Sequence, residues 1–349
     1  MFKRKSIWGL ACISIVMAIP CGAAERLQSP WDAAATPTDA GYKCPEAPHL
    51  ARDLDVNSYY SDAHHSIVDE ARKEAYEAGS EPFTNLARQI VKAADAYRTT
   101  GSRKAAECAI TLLDTAAKDK VLTGRMMTGQ AFYVQGWSLS AWAIGYLKVR
   151  ESGAASAEQA AEITAWLKKL AEKNQDYYEG KRRNPHSDAH NNHLYWAGLA
   201  ISAAGIAADD HRLFGWGINA YKEGVHDIAS DGTLPMEMER AGRALHYHLY
   251  ALAPLIILAE LGESNGLDLY AEKHYAIKWL VERSIAGLLD PSFFVQRTGI
   301  KQDMPEKIGA GEIGWAKPYV RRFPDPQISA LLAKITNLSY RTWGGLPPD

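Results

Sequence analysis

Asn191-Asn192-His193-Leu194-Tyr195-Trp196-Ala197-Gly198-Leu199-Ala200-Ile201-Ser202-Ala203-Ala204-Gly205-Ile206-Ala207 decides the fold class. Its apolar residues cover a broad helical face, and Ser202, Ala203, Gly205 and Ala207 are small enough to let a neighbouring helix approach closely. Similar patterns recur on both sides, separated by short breakers. Helices are expected over Glu70–Ala78, Glu81–Thr99, Ser102–Ala117, Gly124–Glu151, Ala157–Tyr178, Asn191–Ala207, His211–Ala229, Ala241–Leu261 and Leu267–Leu289. The alternation of Val, Ile, Thr and aromatics that marks strands is scarce. The reading is therefore all-α, built of antiparallel helical hairpins. A flat stack of so many hairpins would leave its ends uncapped, so an incomplete (α/α) toroid or barrel is preferred to a bundle.

No repeat of fixed length and no low-complexity tract interrupts the chain, which implies one domain. Glu25–Tyr60 is rich in Pro, Ala and Asp with little periodicity, and reads as an extended arm over the surface. Residues 291–326, with Gly299, Gly309, Gly311 and Gly314, read as a second irregular region bordering a cleft.

With 349 residues and a hydrophobic fraction of 47%, the chain can bury a large core. Lys+Arg at 39 against Asp+Glu at 41 gives a net charge of -2, too little to draw the whole molecule to nucleic acid or a membrane surface. An anionic ligand would have to meet a local basic cleft. Lys3, Arg4 and Lys5, the apolar run Ile7–Ile19 and the small residues Gly22-Ala23-Ala24 read as a cleaved signal peptide over residues 1–24. Pro20 before Cys21 disfavours a lipid-attachment site. Later apolar stretches such as Leu249–Leu261 are too short to span a bilayer. The expectation is a soluble monomer of residues 25–349, periplasmic or secreted. Cys12 and Cys21 leave with the signal, so in an oxidising compartment Cys44 and Cys108 can form one bridge, tying the arm to a helix.

Two strings carry chemistry: Asn191-Asn192-His193-Leu194-Tyr195-Trp196 and Arg243-Ala244-Leu245-His246-Tyr247-His248-Leu249-Tyr250. An amide, an imidazole, a guanidinium and a phenol are the groups needed to remove a proton beside a carboxylate and expel an alkoxide, which points to a lyase acting on an acidic polysaccharide. Arg243 and Tyr250, seven residues apart, would share one face of a helix. Each residue also has a plainer reading. Asn-His at a helix start is commonly a cap, Tyr247 and Tyr250 suit a core rim, and Arg240 and Arg243 could pair with Glu237 or Glu239 on a solvated face.

The conjunction resembles the alginate lyases of single-domain α/α-toroid type from Gram-negative bacteria. Cys44-Pro45-Glu46-Ala47-Pro48, Glu107-Cys108, the two strings above, Gly232-Thr233-Leu234-Pro235 and Gln302-Asp303-Met304 run in that family's order across most of the mature chain. The resemblance implies β-elimination at a uronate, poly-β-D-mannuronate being preferred, to give unsaturated uronate oligosaccharides. It implies Asn192 and Arg243 as donors to the carboxylate as the enediolate develops, and His193 as a third neutralising group or the base. Tyr250 would supply a proton to O4, and for mannuronate could also take the C5 proton. A free phenol has a pKa of about 10, so that second role needs cationic neighbours. No metal or cofactor is expected, and the partner is an anionic polyuronate.

Substrate contacts are expected from Tyr59, Tyr60, Gln130, Trp137, Arg182, Arg240 and Tyr247. Tyr59 stands where alginate-specific relatives carry a Lys in a loop that covers the substrate. Lys181-Arg182-Arg183 could hold uronate carboxylates at outer subsites, although such a run is commonly a solvated turn. These departures leave glucuronan or another polyuronate as an alternative substrate. Three other classes compete: a metal-dependent hydrolase on His186, His190 and His193, an inverting glycoside hydrolase using two of Asp231, Glu237 and Glu239 about 6.5 to 9.5 Å apart, and a non-catalytic glycan-binding protein.

Overall fold

The computed structural model describes residues 25–349, so the expected signal segment lies outside the described residues. In chain order the helices are α1 (Glu70–Thr100), α2 (Arg103–Lys118), α3 (Gly129–Val149), α4 (Ala157–Lys181), α5 (Asn192–Ala207), α6 (His211–Asp227), α7 (Pro235–Met238), α8 (Ala244–Glu263), α9 (Glu272–Leu289), α10 (Ser292–Thr298), α11 (Ala310–Ile313), α12 (Ala316–Arg322) and α13 (Pro326–Leu332). Among the described residues extended segments meet only in isolated bridges.

Composition sorts these helices into two layers. α3, α5 and α8 are apolar on every side and almost wholly buried, as interior helices must be. α2 and α6 are apolar on one side only. The interior succession runs α1, α3, α5, α8, each packed on the next, with α2, α4, α6 and α9 outside it. No comparable packing joins α8 back to α1. A C-terminal 3₁₀ turn, Arg341–Trp343, packs on α1, α3 and α8 and fills that gap. The result is an incomplete α/α toroid.

The tail carrying this turn is pinned from inside. Lys148 of α3 has no exposed side-chain surface, and its ammonium donates to Asp95 Oδ1 (2.6 Å), Gly344 O (2.7 Å) and Leu346 O (2.8 Å). Asp95 of α1 also accepts from Ser339 Oγ (2.7 Å) and Leu346 N (2.9 Å). A buried ion pair is tolerable when its remaining hydrogen-bonding capacity is used in this way.

Several boundaries differ from the sequence reading, each for a physical reason. The expected break after Ala78 is absent: α1 runs unbroken through Gly79, Ser80 and Pro82. Burial of Ser80, Phe83, Leu86 and Ala87 outweighs the hydrogen bond Pro82 cannot make, and Gly79 is where the arm lies closest, since a Cβ there would sit 2.6 Å from Val56 Cγ1. α3 starts at Gly129 rather than Gly124, capped by Thr128. The preceding residues bond to the arm instead, Leu54 N to Arg125 O (2.9 Å) and Met127 N to Leu54 O (3.0 Å). α4 continues to Lys181. The region from 291 to 326 is more regular than expected, with α10, α11 and α12 inside it. α8 begins at Ala244 rather than Ala241 and runs on to Glu263, and its most apolar window is 89% buried within the protein.

The arm is extended but not superficial. Leu27, Trp31, Leu54 and Val56 are buried, and Arg150 holds it through Asp32 (2.6 Å) and Leu27 O (3.2 Å). The Cys44–Cys108 disulfide joins it to α2.

Candidate active site

The N-terminal halves of α3, α5 and α8 open into one cavity of about 1080 Å³. Each brings the positive end of its peptide dipole toward the same space, which favours an anionic occupant. The other walls are the loop Ser58–His65, Tyr76 of α1, the end of α4, Glu239 and Arg240, α11, and Tyr340–Thr342 of the tail.

Of the residues expected at a site, His193, Arg243 and Tyr250 line this cavity, together with Tyr59, Tyr60, Gln130, Trp137, Arg240 and Tyr247. Two others do not. Asn192 is wholly buried behind the wall, its backbone N–H and side-chain amide both donating to Glu237 Oε1 (2.8 and 2.9 Å), while its Oδ1 has no partner. Its neighbour Asn191 faces the cavity and caps α5, accepting from His193 N (3.0 Å). Arg182 turns outward to Glu179 (2.9 Å) and Glu223 (2.7 Å) and lies over Trp216. Lys181 and Arg183, on either side of it, line the cavity instead.

Arg243 is not on a helical face with Tyr250, because Ala241–Arg243 is a 3₁₀ turn and Arg243 is the residue before α8. Both still reach the cavity. Arg243 Nη1 donates to Tyr60 Oη (2.5 Å), and its guanidinium lies over the rings of Tyr60 (5.4 Å) and Tyr247 (5.6 Å). Its Nε is buried without a partner, and among the described residues no carboxylate pairs with it. The charge is held in place by neutral groups and left open to an incoming anion.

Tyr250 packs on Trp196, ring centroids 4.8 Å apart. Burial raises its pKa well above the ordinary phenol value, and the neighbouring phenols of Tyr340, Tyr59, Tyr247 and Tyr76 push the same way, so the phenol keeps its proton. His193 lies flat on Tyr133, centroids 3.9 Å apart and planes 22° from parallel. Although part of its surface opens to the cavity, protein encloses it closely. Burial and the Arg240 charge hold its pKa down to about 3 against the pull of Asp188, leaving a neutral imidazole. The two histidines of the second string divide: His246 lines the cavity, whereas His248 is structural. His248 Nδ1 donates to Ala244 O (2.8 Å) and Nε2 accepts from Leu234 N (2.9 Å).

The competing site readings do not assemble. His186, His190 and His193 are separated by a 3₁₀ turn, Asp188–His190, and the extended Asn191, and His190 Nε2 faces Arg182 O (3.0 Å). Among the described residues no three His, Cys, Asp or Glu side chains are grouped to hold a metal ion. Glu239 borders the cavity, but Glu237 is buried under Asn192, and Asp231 is engaged with Thr233 and Arg297.

Sequence reasoning missed Tyr133, although it stands on the helical face defined by Gln130 and Trp137. It also missed Asp188, Glu312, Tyr340 and Arg341. The last three come from distant segments, and no local pattern marks them.

The chain matches the alginate lyase family over residues 53–294. It is 39% identical to a polysaccharide lyase of Stenotrophomonas maltophilia over 81% of this chain and 82% of the relative. It is 33% identical to an alginate lyase of Pseudomonas syringae pv. syringae over 80% of this chain and 75% of that one. Its fold is similar to that of crystalline alginate lyase A1-III from Sphingomonas species A1 (TM-score 0.74, 25% identity, 91% of this chain and 90% of that one). It is also similar to a histidine-to-alanine variant of A1-III complexed with tetrasaccharide (TM-score 0.78, 24% identity, 91% and 89% covered). The protein belongs to the alginate lyase family and is a polysaccharide lyase.

Proposed function

We propose that this lyase acts on alginate by β-elimination, with poly-β-D-mannuronate as the preferred polymer, and that it does so outside the cytoplasm as a monomer. The observation that carries the reading is an arginine that pairs with no carboxylate among the described residues, in one cavity with a neutral imidazole and a protonated phenol. The uronate carboxylate binds Arg243, and the three helix N-termini help stabilise the enediolate that develops when C5–H is broken. Because Glu237 holds the Asn192 amide, that load falls first on Arg243. Neutral His193 accepts the C5 proton. The C5–H electrons form the C4=C5 bond, the C4–O bond breaks, and Tyr250 donates its proton to the departing O4. Export is supported by the signal-like residues 1–24 and by the disulfide.

A second reading, glucuronan or another polyuronate, is favoured by Tyr59 at the position where alginate-specific relatives carry a Lys. The Stenotrophomonas relative, described as a polysaccharide lyase, fits it too. The test is ultraviolet absorbance of unsaturated uronate on poly-mannuronate, poly-guluronate, glucuronan and hyaluronan. Fastest release from poly-mannuronate is expected. A larger rate on glucuronan transfers the assignment to the second reading, and new reducing ends without absorbance overturn elimination.

A further inference from the structure

Neither ring nitrogen of His193 is hydrogen-bonded among the described residues, so its orientation rests on ring packing, closest and flattest on Tyr133 (3.9 Å) with Trp137 tilted farther off (6.2 Å). Tyr133 is itself tied down. Its phenol donates to Asp188 Oδ2 (2.5 Å), which also accepts from Tyr177 Oη (2.8 Å), while Lys181 Nζ donates to both carboxylate oxygens (2.8 and 3.0 Å). Only 9% of the Asp188 side chain is exposed. Tyr133 comes from α3, Tyr177 and Lys181 from α4, and Asp188 from the turn that leads into α5, so one carboxylate locks three segments beneath the imidazole.

We propose that Asp188 is a positioning residue for His193: its carboxylate fixes the Tyr133 phenol, and the Tyr133 ring fixes the plane of the imidazole. This rests on the elimination reading above for its kinetic consequence but not for its geometry. Asp188 touches no reacting atom. It sets the angle at which the imidazole lone pair meets C5–H, and small errors in such an angle are costly in rate. Its second effect is on charge. Lys181 borders the cavity, and Asp188 keeps that ammonium from acting as a free cation in the wall.

Tyr133→Phe keeps the ring and loses its anchor, and Asp188→Asn keeps the shape and loses the charge. Each is expected to lower kcat about tenfold. For Tyr133→Phe, KM should stay within about twofold, whereas Asp188→Asn, by releasing Lys181, should also lower KM for the polyanion. Because both act through one contact, the double variant should lose no more kcat than Asp188→Asn alone. A second readout is independent of turnover: the His193 ring-proton NMR shifts, displaced by the face of Tyr133, should move in both variants. Unchanged kcat and shifts, or losses that multiply in the double variant, overturn the proposal. Moved shifts in a protein that yields no unsaturated product would uphold the positioning and overturn the elimination reading alone.

Discussion

The two sides of the cavity are held by different means. On one side Tyr133, Trp137, His193 and Tyr250 stand on interior helices, and their rings pack on one another and on Trp196. On the other side the loop around Tyr59–Ile67 is organised mainly by itself. Asp62 accepts from the backbone of His64, Ser66 and Ile67, His65 takes a left-handed conformation, and Ile67 is 59% exposed. The loop reaches the body through one ring contact, Tyr59 on Tyr76 of α1 (5.1 Å), and otherwise through polar contacts, His64 Nδ1 to Glu239 O (3.0 Å) and Tyr60 Oη with Arg243 and Tyr247. The groups proposed to move protons need fixed geometry and sit on the packed side. Groups that cover a ligand can be attached by hydrogen bonds that the ligand itself can replace.

The largest effect should come from breaking the packed side at its chemistry. Tyr250→Phe removes one hydroxyl and little surface, so kcat should fall by about 10²–10⁴-fold with polymer binding retained, as measured by product absorbance and calorimetric titration. Near-normal turnover would remove Tyr250 from the mechanism. Next is the covalent tie on the arm that leads into the loop. Replacing both Cys44 and Cys108 by Ser releases a closure of 64 residues and should cost about 4 kcal/mol in urea unfolding, with kcat little changed in the protein that remains folded.

Acid should also weaken the packed side first. Burial holds His193 and His246 down to about 3 and His248 down to about 4, below the ordinary imidazole value of about 6.5. An unfolded chain therefore binds protons that the fold refuses. The stability these three groups contribute is complete above about pH 6.5 and is lost as pH falls toward their folded values. The urea midpoint should drop between about pH 7 and about pH 4.5, and a flat profile would contradict the neutral imidazoles. The smallest effect belongs to the loop. His64→Ala removes one hydrogen bond worth about 1 kcal/mol, so KM should rise about fivefold with kcat unchanged. A fall in kcat instead would mean that the loop also orients the chemistry.

The same contrast explains what the sequence could and could not disclose. α5 and α8 were legible from apolar residues spread over a broad helical face, and the toroid followed from repeating such hairpins. The composition of the two cavity-lining strings was legible as well, but not the direction each side chain takes. Asn191 and Asn192 differ by one position, and only the cap geometry of α5 shows which faces the cavity. Lys181 and Arg182 differ likewise. The continuation of α4 puts Lys181 one turn from Tyr177, while Arg182 is carried round toward Glu223. Asp188, Glu312 and Arg341 enter through tertiary closure, for which no periodicity exists to be read.

The pinned tail has a consequence for the order of events in folding. Asp95 and Leu346 are 251 residues apart in the chain, yet their contact seats Tyr340–Thr342 in the cavity wall. Helices and their hairpins close over short separations, whereas this contact requires a loop of 251 residues to be gathered in. In refolding, helical signal must therefore return before lyase activity, and the interval between them times the docking of the final strap.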